Sequence, residues 1–305
     1  MHKVLLFAAI LSFSIFGQNV SVTGIEKIEA AEEMYHVKFF PSGEKLLFTS
    51  SNYIGLNIYD LGGQEITRLN DYMNAGYENI FDESGEQILF RKDEYINKRK
   101  YSSLLSYNLK NGEELLLEKQ IRNLSVPELL ADGKIFYSVN SAPKVKEVKT
   151  GNETEASISN EIIVYQENAK IIVYDREKKM IKPFGDGHYL WTEISPDKDK
   201  ILFTYAGKGT YVCDLEGNIL NEIGYANSPK WSADGKYIAY MKDFDDGHHV
   251  TRSDIYVYDL GTNAEVNITN TPDVIELYPS WSADNSRIVC NDEAGDVYLI
   301  NLVIK

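Results

Sequence analysis

A ten-residue pattern recurs along the chain: an apolar anchor, a tight polar turn, then a short apolar strand. The clearest copies are WSADGKYIAY from Trp231 and WSADNSRIVC from Trp281. Ungapped copies run FFPSGEKLLF from Phe39, FDESGEQILF from Phe81 and ISPDKDKILF from Ile194. A sixth, LLADGKIFY from Leu129, is one residue short. Asp and Ser in the turns cap their own backbone, and Gly or Asn accepts positive φ. Pro127, Pro229 and Pro279 each precede an anchor by two residues, where no ladder donor is needed. A third strand follows each unit and ends on Asp60, Asn108, Asp175, Asp214, Asp259 or Asn301. After a polar turn comes a fourth, such as EITRL, ELLLE or EVNIT. Four antiparallel strands repeated at 37 to 65 residues predict an all-β fold, a β-propeller of four-stranded antiparallel blades. The count of anchors gives six blades. A lone blade buries too little apolar surface, so neighbours must stack to make a core.

The last copy stops at Lys305 after its third strand. An open sheet edge would remain unless another segment fills it. NVSVTGIEKIEA, just before the first anchor, occupies the place of a fourth strand. Ring closure by this N-terminal strand is therefore expected, with Ile25 and Ile28 pairing into the last blade. One interval is long, Leu129 to Ile194. Its excess at about 140–160, NSAPKVKEVKTGNETEASISN, is polar and nearly free of aromatics, which predicts a mobile loop. EIIVYQENAKIIVYD after it reads as a hairpin. A degenerate seventh blade there would have too few residues.

Residues 1–18 are a different material: MHK, then an almost unbroken apolar run from Val4 to Phe16, then Gly17 and Gln18. This is the pattern of a secretory signal peptide, too short to span a bilayer. The expected product is an exported protein, periplasmic or secreted, with one propeller domain over residues 19–305. Lys plus Arg number 31 against 46 Asp plus Glu, a net charge of -15. That balance opposes binding to nucleic acid and to anionic membranes, and no later segment is apolar enough to insert in one. Net charge also favours a monomer. Cys213 and Cys290 fall on different, non-adjacent copies, so both are expected free and buried.

The pattern P-x-W-S-x-D-G-K-x-I-A-Y, a loop, then D-I-Y-V-Y-D-L resembles the WD40-like (PD40) repeats of the TolB-type propeller, most strongly over Pro229–Leu260 and Pro279–Leu302. The resemblance implies a six-bladed ring. It also implies an envelope setting, since TolB-type proteins partner a peptidoglycan-associated lipoprotein. In TolB an α/β domain precedes the propeller; here the first blade follows the signal segment closely. Related repeats build the propellers of dipeptidyl peptidase IV-like and prolyl oligopeptidase-like enzymes. No G-x-S-x-G nucleophile motif occurs in this chain.

In a blade, the loop between the second and third strands and the loop to the next blade open on one face, where propellers bind. Two of these loops are rich. KDEYINKRKYS carries Tyr95, Lys98, Arg99, Lys100 and Tyr101; KDFDDGHHVTRS carries Asp243, Asp245, Asp246, His248, His249 and Arg252. Blade-to-blade loops add His188, Trp191, Glu276 and Tyr278. Asp243, Asp245 and Asp246 offer hard oxygens for calcium, the one cofactor the sequence suggests. The spacing is not that of an EF-hand, and an acidic hairpin tip reads equally as a solvated one. No Ser/His/Asp or Cys/His set can be assembled. The expectation is a binding or scaffold module for a protein, peptide or envelope polymer. The alternative is a small propeller lyase or hydrolase acting on carbohydrate, with His188, His248 and acidic neighbours at the channel mouth.

Overall fold

The computed structural model describes residues 19–305 except 83, 131, 150–151, 156–160 and 176; segment 1–18, expected as a signal peptide, lies outside the described residues. The chain forms seven antiparallel sheets, hence seven blades. Blade 1 holds strands Tyr35–Phe39, Lys45–Ser50, Ile54–Asp60 and Ile66–Asn70, and blade 2 holds Ile80–Phe81, Gln87–Ile96, Arg99–Asn108 and Glu114–Ile121. Blade 3 holds Glu128–Leu129, Ile135–Val139, Ala142–Lys149 and Asn152–Glu155, and blade 4 holds Ile163–Glu167, Lys170–Asp175 and Glu177–Ile181. Blade 5 is Tyr189–Ile194, Lys200–Tyr205, Gly209–Asp214 and Ile219–Gly224, and blade 6 is Asn227–Trp231, Tyr237–Asp245, Val250–Asp259 and Ala264–Asn267. Blade 7 is Leu277–Trp281, Arg287–Asn291 and Val297–Ile304, completed by Val20–Ile28.

The six-bladed expectation is overturned by the interval from Leu129 to Ile194, which holds blades 3 and 4 in succession. The segment expected as a loop at 140–160 contains the third and fourth strands of blade 3, paired Ile135↔Lys146 and Lys146↔Glu155. Its strand character is hidden because Lys and Glu alternate with the valines in KVKEVK. Val145 is buried, and Lys146, also buried, donates to the Leu117 carbonyl at 2.8 Å. The turn into it, Asn140–Ser141, has positive φ at both residues, 50° and 70°, the two-residue hairpin geometry that matches strand twist. The hairpin EIIVYQENAKIIVYD is the centre of blade 4, so Asp175 belongs there and not to blade 3.

The cores lie between blades. Among the described residues, buried apolar side chains fall into seven clusters, each shared by two consecutive blades. Successive strand residues point to opposite sheet faces. Leu46 therefore packs toward blade 7 and Leu47 toward blade 2. Ile201 and Leu202 divide likewise between blades 4 and 6. Both faces are apolar, which is why the second strands read LLF, ILF or IVC rather than alternating.

The ring closes as expected. Val20–Ile28 runs antiparallel to Val297–Ile304 in the register Val20↔Ile304, Ile25↔Ile300 and Ile28↔Val297. Trp281 Nε1 donates to the Lys230 carbonyl at 3.3 Å, and Trp231 Nε1 to the Glu193 carbonyl at 3.5 Å. The two indoles are half-buried latches across seams, not fully enclosed core. The turn Asp and Asn residues act as caps: Oδ1 of Asp60 accepts from Gly63 N at 2.7 Å, and that of Asp214 from Asn218 N at 2.8 Å. Cys213 and Cys290 are free and buried, in separate seams.

Candidate binding face

The innermost strands aim side chains at the channel mouth by a repeated device. Three residues before the anchor, His36, Glu78, Trp191, Ser228 and Tyr278 all have φ between 47° and 57°. Register shifts accompany four of them, between Tyr35/Lys38, Leu190/Glu193, Asn227/Lys230 and Leu277/Ser280. Such bulges re-aim a side chain. His36 stacks on Tyr53 at 3.9 Å between centroids and meets Tyr278 at 4.2 Å; Tyr53 meets Tyr77 edge-on at 5.2 Å. Arg91 covers Tyr77 at 5.7 Å and donates to the Leu124 carbonyl at 2.8 Å. Burial within this stack pulls His36 down to about 4, so it is a neutral ring at ordinary pH.

One layer deeper, the residue before four of the six anchors is charged and faces the channel: Lys38, Glu128, Glu193 and Lys230. Glu193 and Lys230 form an ion pair across blades 5 and 6, their side chains 29% and 33% exposed. Lys38 donates to the Asn79 carbonyl and lies 5.1 Å from the Phe81 ring centre. Burial, with repulsion from Lys230, brings the Lys38 ammonium down to about 7. Burial, with repulsion from Glu193 and Glu78, pushes the Glu128 carboxyl up to about 8. Burial raises Glu193 too, against the pull of Lys230. Burial opposes charging Lys230, but the Glu193 and Glu78 carboxylates outweigh it and hold its ammonium above the usual range.

Two hairpins rise beyond the others. Second strands are five or six residues long except Gln87–Ile96 and Tyr237–Asp245, of ten and nine. At about 3.3 Å per residue the additional length lifts each tip roughly 10–13 Å. The blade 2 hairpin carries Tyr95, 64% exposed, with Asn97 and Lys98 at its turn. Lys98 and Arg99 are exposed; Lys100 lies 3.3 Å from buried Asp93, and Arg122 covers Tyr101 at 5.4 Å. The blade 6 hairpin carries Phe244, 57% exposed, and Asp243, which accepts from Asn227 and from Tyr225. Asp245 accepts from Gly247 N at 2.8 Å, and Asp246 from the amides of His248 and His249 at 2.9 Å. These amide bonds hold Asp246 below the usual carboxylate range. Among the described residues no group of three His, Cys, Asp or Glu side chains converges on one metal position.

The sequence-expected residues are thus dispersed. Trp191 and Tyr278 sit at the bulge layer, and Tyr278 joins His36. Arg252 is engaged with Asp254 at 2.9 Å. Glu276 is turned inward, 2% exposed, taking a hydrogen bond from Thr271. Burial pushes its carboxyl up to about 7. His188 is exposed on the loop entering blade 5, its carbonyl accepting from Ala206 N at 2.9 Å. His36, Glu78, Lys38, Glu128, Glu193 and Lys230 were missed. Their common offset from the anchors is the signal that would have found them.

No protein-family model matches the chain. No curated protein matches it either. Among solved structures it is similar to the β-propeller domain of Cps50 (Swd1) from Myceliophteria thermophila, at 11% identity and TM-score 0.61, over 92% of this chain and 99% of that one. It is similar to an oligogalacturonate lyase in complex with manganese, at 14% identity and TM-score 0.60, over 93% and 97%. The oligogalacturonate lyase of Vibrio parahaemolyticus aligns at 11% identity and TM-score 0.60, over 92% and 97%. At these identities the likeness is one of fold: the chain is a β-propeller.

Proposed function

We propose that this chain is a binding propeller that docks a protein or peptide on the channel-mouth face over blades 6, 7, 1 and 2. One observation carries this reading. Of the large apolar side chains left exposed, Ile54, Met73, Tyr77, Tyr95, Ile96, Tyr225 and Phe244 lie on loops and strand ends at that face, whereas Ile25, Leu116, Met180, Ile219, Leu220 and Val303 lie on the third or fourth strands of blades 2, 4, 5 and 7. Exposed aromatics beside a desolvated centre are what recognition surfaces supply. The scaffold role of an exported, TolB-like envelope module fits this face; N-terminal sequencing of the protein made in its native host tests the export. A photo-crosslinking residue at Tyr95 or Phe244 is expected to capture a discrete partner, and one at Leu220, on the outer strand of blade 5, is not. Equal capture from all three positions would refute the reading.

A second reading, a propeller lyase or hydrolase acting on carbohydrate, draws on the channel layer. A carboxyl raised to about 8 and an amine lowered to about 7 suit proton transfer near neutral pH. Oligogalacturonate is the first substrate to try, given the fold likeness. Turnover lost in both Glu128→Gln and Lys38→Met supports it; no turnover on a panel of uronate oligomers removes it.

A further inference from the structure

The two tall hairpins stand on blades 2 and 6, three positions apart in a ring of seven, so they face each other nearly across the channel mouth. Their tips are opposite in charge. The blade 2 tip presents Lys98, Arg99 and Lys100, and no described carboxylate forms an ion pair with Lys98 or Arg99. In a chain of net charge -15 this basic knot stands against the prevailing field. The blade 6 tip presents Asp243, Asp245 and Asp246, whose hydrogen bonds go to amides and to Asn227 and Tyr225, not to cations. Between the tips lies the ring cluster of Tyr53, Tyr77, Tyr278 and neutral His36.

We infer that the occupant of this face is an extended polypeptide segment in one direction only: an acidic block against the Lys98–Lys100 tip, an aromatic or aliphatic side chain on the His36–Tyr278 floor, and a basic block against the Asp243–Asp246 tip. This rests on the docking reading above and adds the register. Complementary charge at both ends fixes orientation and rejects the reversed peptide by like-charge contact. The aromatic floor, with His36 neutral, supplies contact area for an apolar side chain at the centre of the segment.

The test is selection of a random dodecapeptide phage library on the intact protein and on two variants. One carries Lys98→Asn, Arg99→Gln and Lys100→Gln. The other carries Asp243→Asn, Asp245→Asn and Asp246→Asn, which keeps the oxygen acceptors that cap the tip. Matching thermal melts establish that both fold. On the parent, enriched peptides are expected to segregate acidic from basic residues about an apolar centre. The first variant should lose enrichment of the acidic block about tenfold, and the second that of the basic block. The best synthetic peptide should bind less tightly as salt rises. Enrichment that depends on Tyr77 and Tyr278 but shows the same charge preference on both variants overturns the register and leaves the docking face. Enrichment insensitive to Tyr77→Ala and Tyr278→Ala, or none at all, overturns both.

Discussion

The backbone amide of His36 donates a hydrogen bond to Oδ1 of Asn291, 2.9 Å away, across the seam between the first and last blades. Asn291 is wholly buried and its Nδ2 donates to the Asp292 carbonyl at 2.9 Å. One side chain thus ties the bulge that aims His36 to the loop of blade 7. Asn291→Leu leaves that amide without its acceptor. The expected cost is about 1–3 kcal/mol in urea unfolding, with loss of ring-current shifts in the His36–Tyr53 stack. An unchanged midpoint and spectrum would show the bulge to be self-supporting.

The indole latches predict a graded series. Trp281→Phe keeps most of the ring contact and loses the bond to Lys230, for about 1 kcal/mol. Trp281→Ala also opens the seam, for roughly 3 kcal/mol. Equal losses for the two variants would mean that the latch, and not packing, dominates.

Deletion of residues 19–30 removes the strand that completes blade 7 and uncovers the edge of Val297–Ile304. Aggregation and loss of a cooperative melt are expected. A truncated protein that melts like the parent would show that the ring holds without closure.

Burial pushes the Cys213 thiol up to about 12, and Cys290 well above the ordinary range. At pH 8 a thiol reagent should label neither in the native protein and both in denaturant. Labelling of the native protein would mean that a seam opens readily.

Glu276 supplies a pH test. Burial raises its folded carboxyl to about 7, above the 4.5 of a free glutamate. The folded state therefore binds the proton more tightly, and stability is lost as pH rises from about 4.5 to 7. Across that window Glu276→Gln should gain on the parent by on the order of 2 kcal/mol. His36 has the opposite sign, with stability gained as pH rises from about 4 to 6.5. The comparison therefore uses the difference between variant and parent, not the parent's curve alone.

What the chain disclosed on its own followed the chemistry of its turns. Each anchor with its Asp, Ser or Gly turn announced a blade, and the position of Ile25 and Ile28 announced the closure. Blade 4 has no such anchor before EIIVYQE, and the outer strands of blade 3, APKVKEVK and NETE, are rich in Lys and Glu, so pattern alone merged two blades into one. The loops singled out for variety, KDEYINKRKYS and KDFDDGHHVTRS, are the two tall hairpins. His36 and Lys38 stayed hidden because YHVKF reads as an ordinary strand, and the Asn291 that its bulge bonds lies 255 residues away in the sequence.

The seam that joins Ser21 to Val303 spans 282 residues. During folding, Val20–Ile28 has no partner until Val297–Ile304 is available. Six blades can stack in order, each on its predecessor, while blade 7 must recruit its outer strand across the whole length of the propeller. Completion is thus a single late event with a large loop-closure cost. Until it happens, the incomplete ring presents a free strand edge at each end of the array, and the journey from nascent chain to finished protein is most exposed in its last step.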